Sequence, residues 1–141
     1  MSQQASQFAL PVEGDQIPVL AVHIDRAAIV RYCGASDDYT NVHWDQDHVK
    51  AQGFPDVIVH GWLVFAYMTQ AVTNWIPREY AAITDFAVRY RRPVYPGPMS
   101  CGGKVLKRHE ENGVQRIDLE LWTKSGDGVT TTTATMTLEA N

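Results

Sequence analysis

From residue 57 to residue 77 the chain carries no Asp, Glu, Lys or Arg, an uncharged run of 21 residues in a protein of 141. That is the length of a membrane-spanning helix, which takes about 20 predominantly apolar residues. His60, Thr69, Gln70, Thr73 and Asn74 interrupt the run, however, and its first residues, Val57, Ile58 and Val59, favour extended backbone. Trp62, Phe65, Ala66, Thr69, Val72 and Thr73 then recur at the three- and four-residue spacings of one helix face, and Leu63, Tyr67 and Met68 widen the apolar surface. The pattern predicts a long helix over residues 61–76, ended by Pro77 and enclosed by its own protein rather than by lipid. No membrane span is expected.

What could enclose that helix is written after residue 83. Phe86, Val88 and Tyr90 alternate with Ala87, Arg89 and Arg91; Ile117, Leu119 and Leu121 with Asp118 and Glu120; Ala134, Met136 and Leu138 with Thr135 and Thr137. This is the two-residue period of a sheet with one buried and one solvated face. Asn112-Gly113 supplies a hairpin turn and Gly126-Asp127-Gly128 another. Upstream, residues 12–24 read as a loop and a first strand. Asp25 can N-cap a short helix over 26–33, residues 34–42 read as loop, and Asp45 can cap a second helix over 46–52 that Gly53 ends and Pro55 keeps from resuming. The order is strand, short helices, one long buried helix, then antiparallel strands. It predicts an α+β fold in which an antiparallel sheet wraps one central α-helix, as a single domain over 1–141 with a flexible tail over 1–11.

Composition narrows the function classes. With 45% hydrophobic and 20% charged residues the chain is globular rather than disordered, and a net charge of −4 without an extended basic tract argues against a nucleic-acid partner. Two cysteines, Cys33 and Cys101, lack the CxxC spacing of a zinc ribbon and are too few for a disulfide framework. The Gln- and Ser-rich first ten residues have neither the positive charge nor the apolar segment of a signal peptide, so a cytoplasmic location is expected.

Two places could carry chemistry. In the loop Ser36-Asp37-Asp38-Tyr39-Thr40-Asn41-Val42-His43, the Asp38 carboxylate and the His43 imidazole lie five residues apart and can turn toward one point. Such a pair can move a proton to and from one water near neutral pH. Spacing alone leaves open that Asp38 caps a turn and His43 merely packs. At Gly61, the start of the long helix, backbone N–H groups without an internal partner could stabilise a developing oxyanion, or the glycine could simply admit close packing. A metal site at His43, Asp45, Asp47 and His48 is the weaker reading, because Asp45 serves better as a cap and the others suit a solvated face. Arg89, Arg91 and Arg92 could attract the phosphates of a nucleotide-tailed ligand or could face solvent on their strand.

Three segments together resemble the MaoC-like dehydratases, also called (R)-specific enoyl-CoA hydratases. They are residues 32–45 (YCGASDDYTNVHWD), 53–63 (GFPDVIVHGWL) and 88–97 (VRYRRPVYPG), and the likeness extends over about 17–138. The resemblance implies a hot-dog fold. It implies a hydro-lyase activity: reversible hydration of a trans-2-enoyl thioester, of CoA or an acyl carrier protein, to the (R)-3-hydroxyacyl thioester. The family's catalytic residues fall on Asp38 and His43, its oxyanion donor on the N–H of Gly61, and a supporting hydroxyl of its central helix on Thr69. No metal and no redox cofactor is implied. The implied partner is a second hot-dog subunit, identical or unlike, with the acyl tunnel near the interface.

The loop departs from the family's D-x-N-P-x-H pattern, since Thr40 stands in place of the asparagine and Asn41 in place of the proline. Both catalytic groups survive. Without the proline the local backbone angles are freer, and loops of this form resemble those in small subunits of heteromeric hydratases acting on steroid side chains. An acyl-binding or catalytic subunit of such a complex, acting on a bulky acyl-CoA, and a hot-dog thioesterase are the alternative readings.

Overall fold

The computed structural model describes residues 8–141. Five strands, β1 (Gln16–Ile24), β2 (Ala81–Tyr90), β3 (Gly97–Glu111), β4 (Val114–Ser125) and β5 (Thr130–Ala140), form one antiparallel sheet in the order β1-β3-β4-β5-β2. Between β1 and β2 the chain forms α1 (Arg26–Ser36), a 3-10 turn (Asn41–His43), α2 (Gln46–Ala51) and the long α3 (Gly61–Trp75). This is the hot-dog arrangement, a sheet folded about one helix.

The core is the seam between α3 and the sheet. Val64, Phe65, Met68, Ala71 and Val72 are the buried residues of α3. Against them the inward positions of the long strands supply Met99, Cys101 and Val105, then Ile117, Leu119 and Leu121, then Ala134, Met136 and Leu138, each at most 5% exposed. Every second residue of β4 and β5 points inward, as the alternation predicts, and each large side chain so buried contributes about 1.5–3 kcal/mol. Asn112 and Gly113, both at positive φ (53° and 80°), make the β3–β4 turn, while Gly128 (φ 82°) lies in the β4–β5 turn.

The caps fall where the side chains predict. Asp25 Oδ1 accepts from the backbone N–H of Ala28 at 2.7 Å, and Asp45 Oδ1 from that of His48 at 3.0 Å. Two expectations need correction. First, α1 continues to Ser36 through the segment read as loop, because Ser36 Oγ donates to the Tyr32 carbonyl and Asp37 takes the left-handed C-cap conformation (φ 56°). Second, the alternation in β2 does not fully bury a face: Phe86 and Tyr90 are 44% and 46% exposed, because β2 is a sheet edge and these two rings meet only the first turns of α3, at Gly61, Trp62 and Phe65. Most of the expected tail over 1–11 is residues 1–7, which lie outside the described residues; of the rest, Phe8 stacks on Tyr80 and the Leu10 carbonyl accepts from Arg108. No described helix is long and apolar enough to cross a membrane. Cys33 and Cys101 are free and buried.

Candidate active site

The link from α1 to α2 brings Asp38 and His43 together. His43 lies in the 3-10 turn, whose position is held by the bond from Ile58 N–H to the Val42 carbonyl at 2.8 Å. His43 Nδ1 is 2.6 Å from the Ile58 carbonyl, which can only accept, so Nδ1 carries the proton and the neutral ring presents a lone pair at Nε2. That lone pair faces Asp38 Oδ2 at 3.7 Å. The other carboxylate oxygen, Oδ1, accepts from both the hydroxyl (2.6 Å) and the backbone N–H (3.1 Å) of Thr40. These bonds, the hydroxyl's first, hold the Asp38 carboxyl below the usual carboxylate range, with the neighbouring His43 a smaller contribution.

When the His43 ring is neutral, two acceptors oppose each other. A carboxylate and an imidazole lone pair at 3.7 Å repel unless a group with two protons stands between them. A water can do so, since two normal hydrogen bonds of about 2.8 Å close a triangle on that base. Both of its protons are then engaged and an oxygen lone pair is left pointing outward.

Beside this pair α3 begins. No described group accepts from the Gly61 N–H, as expected for the first turn of a helix. His43 and Gly61 line one cleft of about 460 Å³ together with Trp62, Tyr90, Arg91 and Arg92. Asp38 meets the cleft through His43, and its side chain is 45% exposed. Packing also disfavours a side chain at 61 while the Tyr90 ring stays in place. A Cβ there would stand 2.8 Å from Cζ of Tyr90, whose ring lies over the helix end. Burial pushes the Tyr90 phenol up, so it keeps its proton and can donate.

Thr69 is placed elsewhere. It lies about two turns into α3 in a separate depression with Tyr32, Trp62, Phe65, Thr73 and Arg78, and makes no hydrogen bond with Asp38 among the described residues. The hydroxyl that supports the carboxylate is that of Thr40. The Asp45, Asp47 and His48 cluster is taken up locally, with Asp45 capping α2 and His48 bonded to Gln52. The group that does converge is Asp38, His43 and His60, within 4.8 Å of one another. It does not suit a metal ion: the two imidazoles are stacked at 3.7 Å with planes 18° apart, so their lone pairs lie in near-parallel planes and do not converge on one point.

An antiparallel sheet folded about one helix, with an Asp–His pair at the helix's N-terminal end, defines a hot-dog protein with acid–base capacity. The chain belongs to the MaoC-like dehydratase family: the family model described as the MaoC like domain matches residues 7–118. A curated relative, the peroxisomal multifunctional enzyme type 2 of Mus musculus, is 30% identical over 78 residues, which are 55% of this chain and 10% of that protein. The chain thus spans about a tenth of that relative's length. Among solved structures, a chain of the ChsH1-ChsH2 complex from Mycobacterium tuberculosis is 26% identical with a TM-score of 0.81, covering 94% of this chain and 100% of that one. An (R)-hydratase from A. caviae involved in PHA biosynthesis has the same fold at 17% identity, with a TM-score of 0.83 over 94% of this chain and 98% of that one.

Proposed function

We propose that the chain is a hydro-lyase that adds water reversibly to trans-2-enoyl thioesters, giving (R)-3-hydroxyacyl thioesters. The observation that carries this reading is the opposition of Asp38 Oδ2 and His43 Nε2 across 3.7 Å beside the Gly61 N–H, which has no partner among the described residues. Membership of a dehydratase family supports it.

The residues divide the work as follows. The ionised Asp38 and the Nε2 lone pair of His43 each accept one proton of the water and aim its oxygen at C3. As the oxygen–C3 bond forms, His43 takes a proton and the π electrons move through C2 onto the thioester oxygen, where the Gly61 N–H and the positive end of α3 meet the charge. The imidazolium, beside the Asp38 carboxylate, then returns the proton to C2 on the face from which the water came. Atoms and charge balance with water and thioester alone, so the reading needs no metal or redox cofactor.

Arg91 and Arg92 line the same cleft as Gly61, which favours a diphosphate-bearing CoA thioester. Trp62 and Phe86, 59% and 44% exposed, adjoin Phe65 beside this cleft and favour a second hot-dog subunit that covers the acyl group. Full-length likeness to a chain of the ChsH1-ChsH2 complex favours an assembly of unlike subunits, and the resemblance of the 38–43 loop to those in small subunits of heteromeric hydratases favours a bulky, steroid-like acyl-CoA.

The test is incubation of the purified chain, alone and with candidate unlike subunits, with a panel of enoyl-CoA thioesters that includes a steroid side chain. Conjugation is followed by ultraviolet absorbance and product handedness by chiral chromatography. Loss of conjugation with an R product and no free thiol is expected. Thiol release points to a thioesterase, an S product contradicts the geometry, and inertness toward every substrate and subunit removes the enzymatic reading in favour of an acyl-binding role.

A further inference from the structure

His60 belongs to no step above, yet it touches both groups that carry them. It is 2% exposed and occupies the N-cap position of α3, where its side chain makes no capping bond. Its ring lies face to face with that of His43 at 3.7 Å and meets the edge of Tyr32 at 4.8 Å. Nε2 is 3.2 Å from the backbone carbonyl of Asp38 and 3.6 Å from Cys33 Sγ, while Nδ1 is buried with no partner among the described residues. The carbonyl can only accept, so Nε2 carries the proton and Nδ1 is an unpaired lone pair. A residue that merely filled this space could do so without a stranded polar atom, as phenylalanine or leucine would.

We propose that His60 is a positioning residue for the hydration step: its ring face sets the plane of the His43 imidazole, and its Nε2–H holds the main chain of Asp38. The residue also directly precedes Gly61, so one buried side chain ties acid, base and oxyanion donor into a single body. The inference rests on the hydratase reading for its kinetic consequence but not for its geometry. Neutrality matters to the role, because a cation stacked on His43 would oppose the proton that His43 must take up. The groups facing His60 are Tyr32 and Cys33 from α1, Asp38 from the following loop and His43 from the 3-10 turn. Burial of the ring and the proximity of His43 disfavour its protonation, and the Asp38 carbonyl and carboxylate act the other way.

Two measurements test the proposal. Long-range proton–nitrogen NMR of the wild-type imidazoles should show His60 as the neutral Nε2–H tautomer, persisting below the ordinary imidazole value of 6.5. In the same spectra His43 should be the Nδ1–H tautomer when neutral. In kinetics, His60→Gln keeps a donor near the Nε2 position without the ring face, and His60→Phe keeps the face without the donor. Each should lower kcat roughly tenfold while KM stays within about twofold, because the loss is one of alignment. The proposal is overturned if His60 titrates at or above its ordinary value or is the Nδ1–H tautomer. It is equally overturned if both variants fold and keep wild-type kcat. Should the variants fail to fold, the wild-type spectra decide. If wild-type protein hydrates no enoyl thioester the hydratase reading fails, and the spectra still judge the placement of His60.

Discussion

Asp38 and His43 face each other with their remaining polar atoms already engaged: Oδ1 by Thr40, Nδ1 by the Ile58 carbonyl. Their free atoms, 3.7 Å apart, have only each other and whatever stands in the cleft. A single water is the smallest group that satisfies both.

Removing either acceptor should therefore abolish turnover without unfolding the chain. Asp38→Asn and His43→Gln are expected to lower kcat by about 10²- to 10⁴-fold, the usual range for a positioned acid or base. Steady-state kinetics on the best enoyl-CoA, with circular dichroism to check folding, reads this. A variant that keeps a tenth or more of the activity contradicts the assignment.

Thr40→Val removes the hydroxyl that most lowers the Asp38 carboxyl, so the folded-state pKa should rise toward its ordinary 3.8. The sign follows from linkage. A depressed carboxyl stabilises the fold above its unfolded-state value and loses that contribution as pH falls through the folded-state value. The variant should therefore lose it at a higher pH than wild type. Carbon NMR of the Asp38 carboxyl gives the pKa directly, and an unchanged value removes Thr40 from the site.

Gly61→Ala should cost both stability and activity, since the new Cβ would stand 2.8 Å from Tyr90 Cζ. Tyr90→Ala in the same chain should recover most of the stability, giving a coupling of about 1–3 kcal/mol in a double-mutant cycle. Denaturant melts of the four proteins measure it, and simple additivity would mean that the ring is not what excludes a side chain at 61.

Protonation of His60 is disfavoured in the fold, chiefly by burial. The unfolded chain thus binds a proton that the folded chain refuses, and stability should fall as pH drops below about 6.5. His60→Phe lacks this site and should show a shallower slope of melting temperature against pH between 5 and 6.5. Identical slopes would place the acid sensitivity elsewhere.

Leu119 is fully buried on β4. Leu119→Ala should destabilise by about 2–5 kcal/mol with little change in KM, since it opens a cavity in the seam beneath α3. Chemical denaturation measures the loss, and a cost below 1 kcal/mol would contradict the packing described.

Much of this was written in local pattern. The uncharged run with its helical spacing located α3, the period of two located β4 and β5, and Asp25 and Asp45 capped the helices expected of them. These features depend on neighbours within a few residues, which the order of the chain fixes. The Asp38–His43 pair was legible because five residues of loop can bring two side chains together, and the D-x-x-x-x-H spacing survives the family's altered middle. At the His60-Gly61 step the role fell to Gly61 and none to His60, though His60 was the only imidazole in the uncharged run. Nor was Thr40 read as the carboxylate's partner, although Asp-x-Thr is a turn-forming pattern in which the hydroxyl reaches back.

By itself, then, the order of residues determined the elements, the buried faces and the two groups able to exchange a proton. Only the tertiary structure decided how those groups are used. It set His43 on the Ile58 carbonyl, which selects the tautomer, stacked His60 beneath it, laid Tyr90 over Gly61, and left Thr69 in a different depression. The reason is one of range. Periodicity and capping are local interactions along the chain, whereas a tautomer or a stacked ring depends on atoms 15 to 29 positions away that meet only when the sheet closes on its helix.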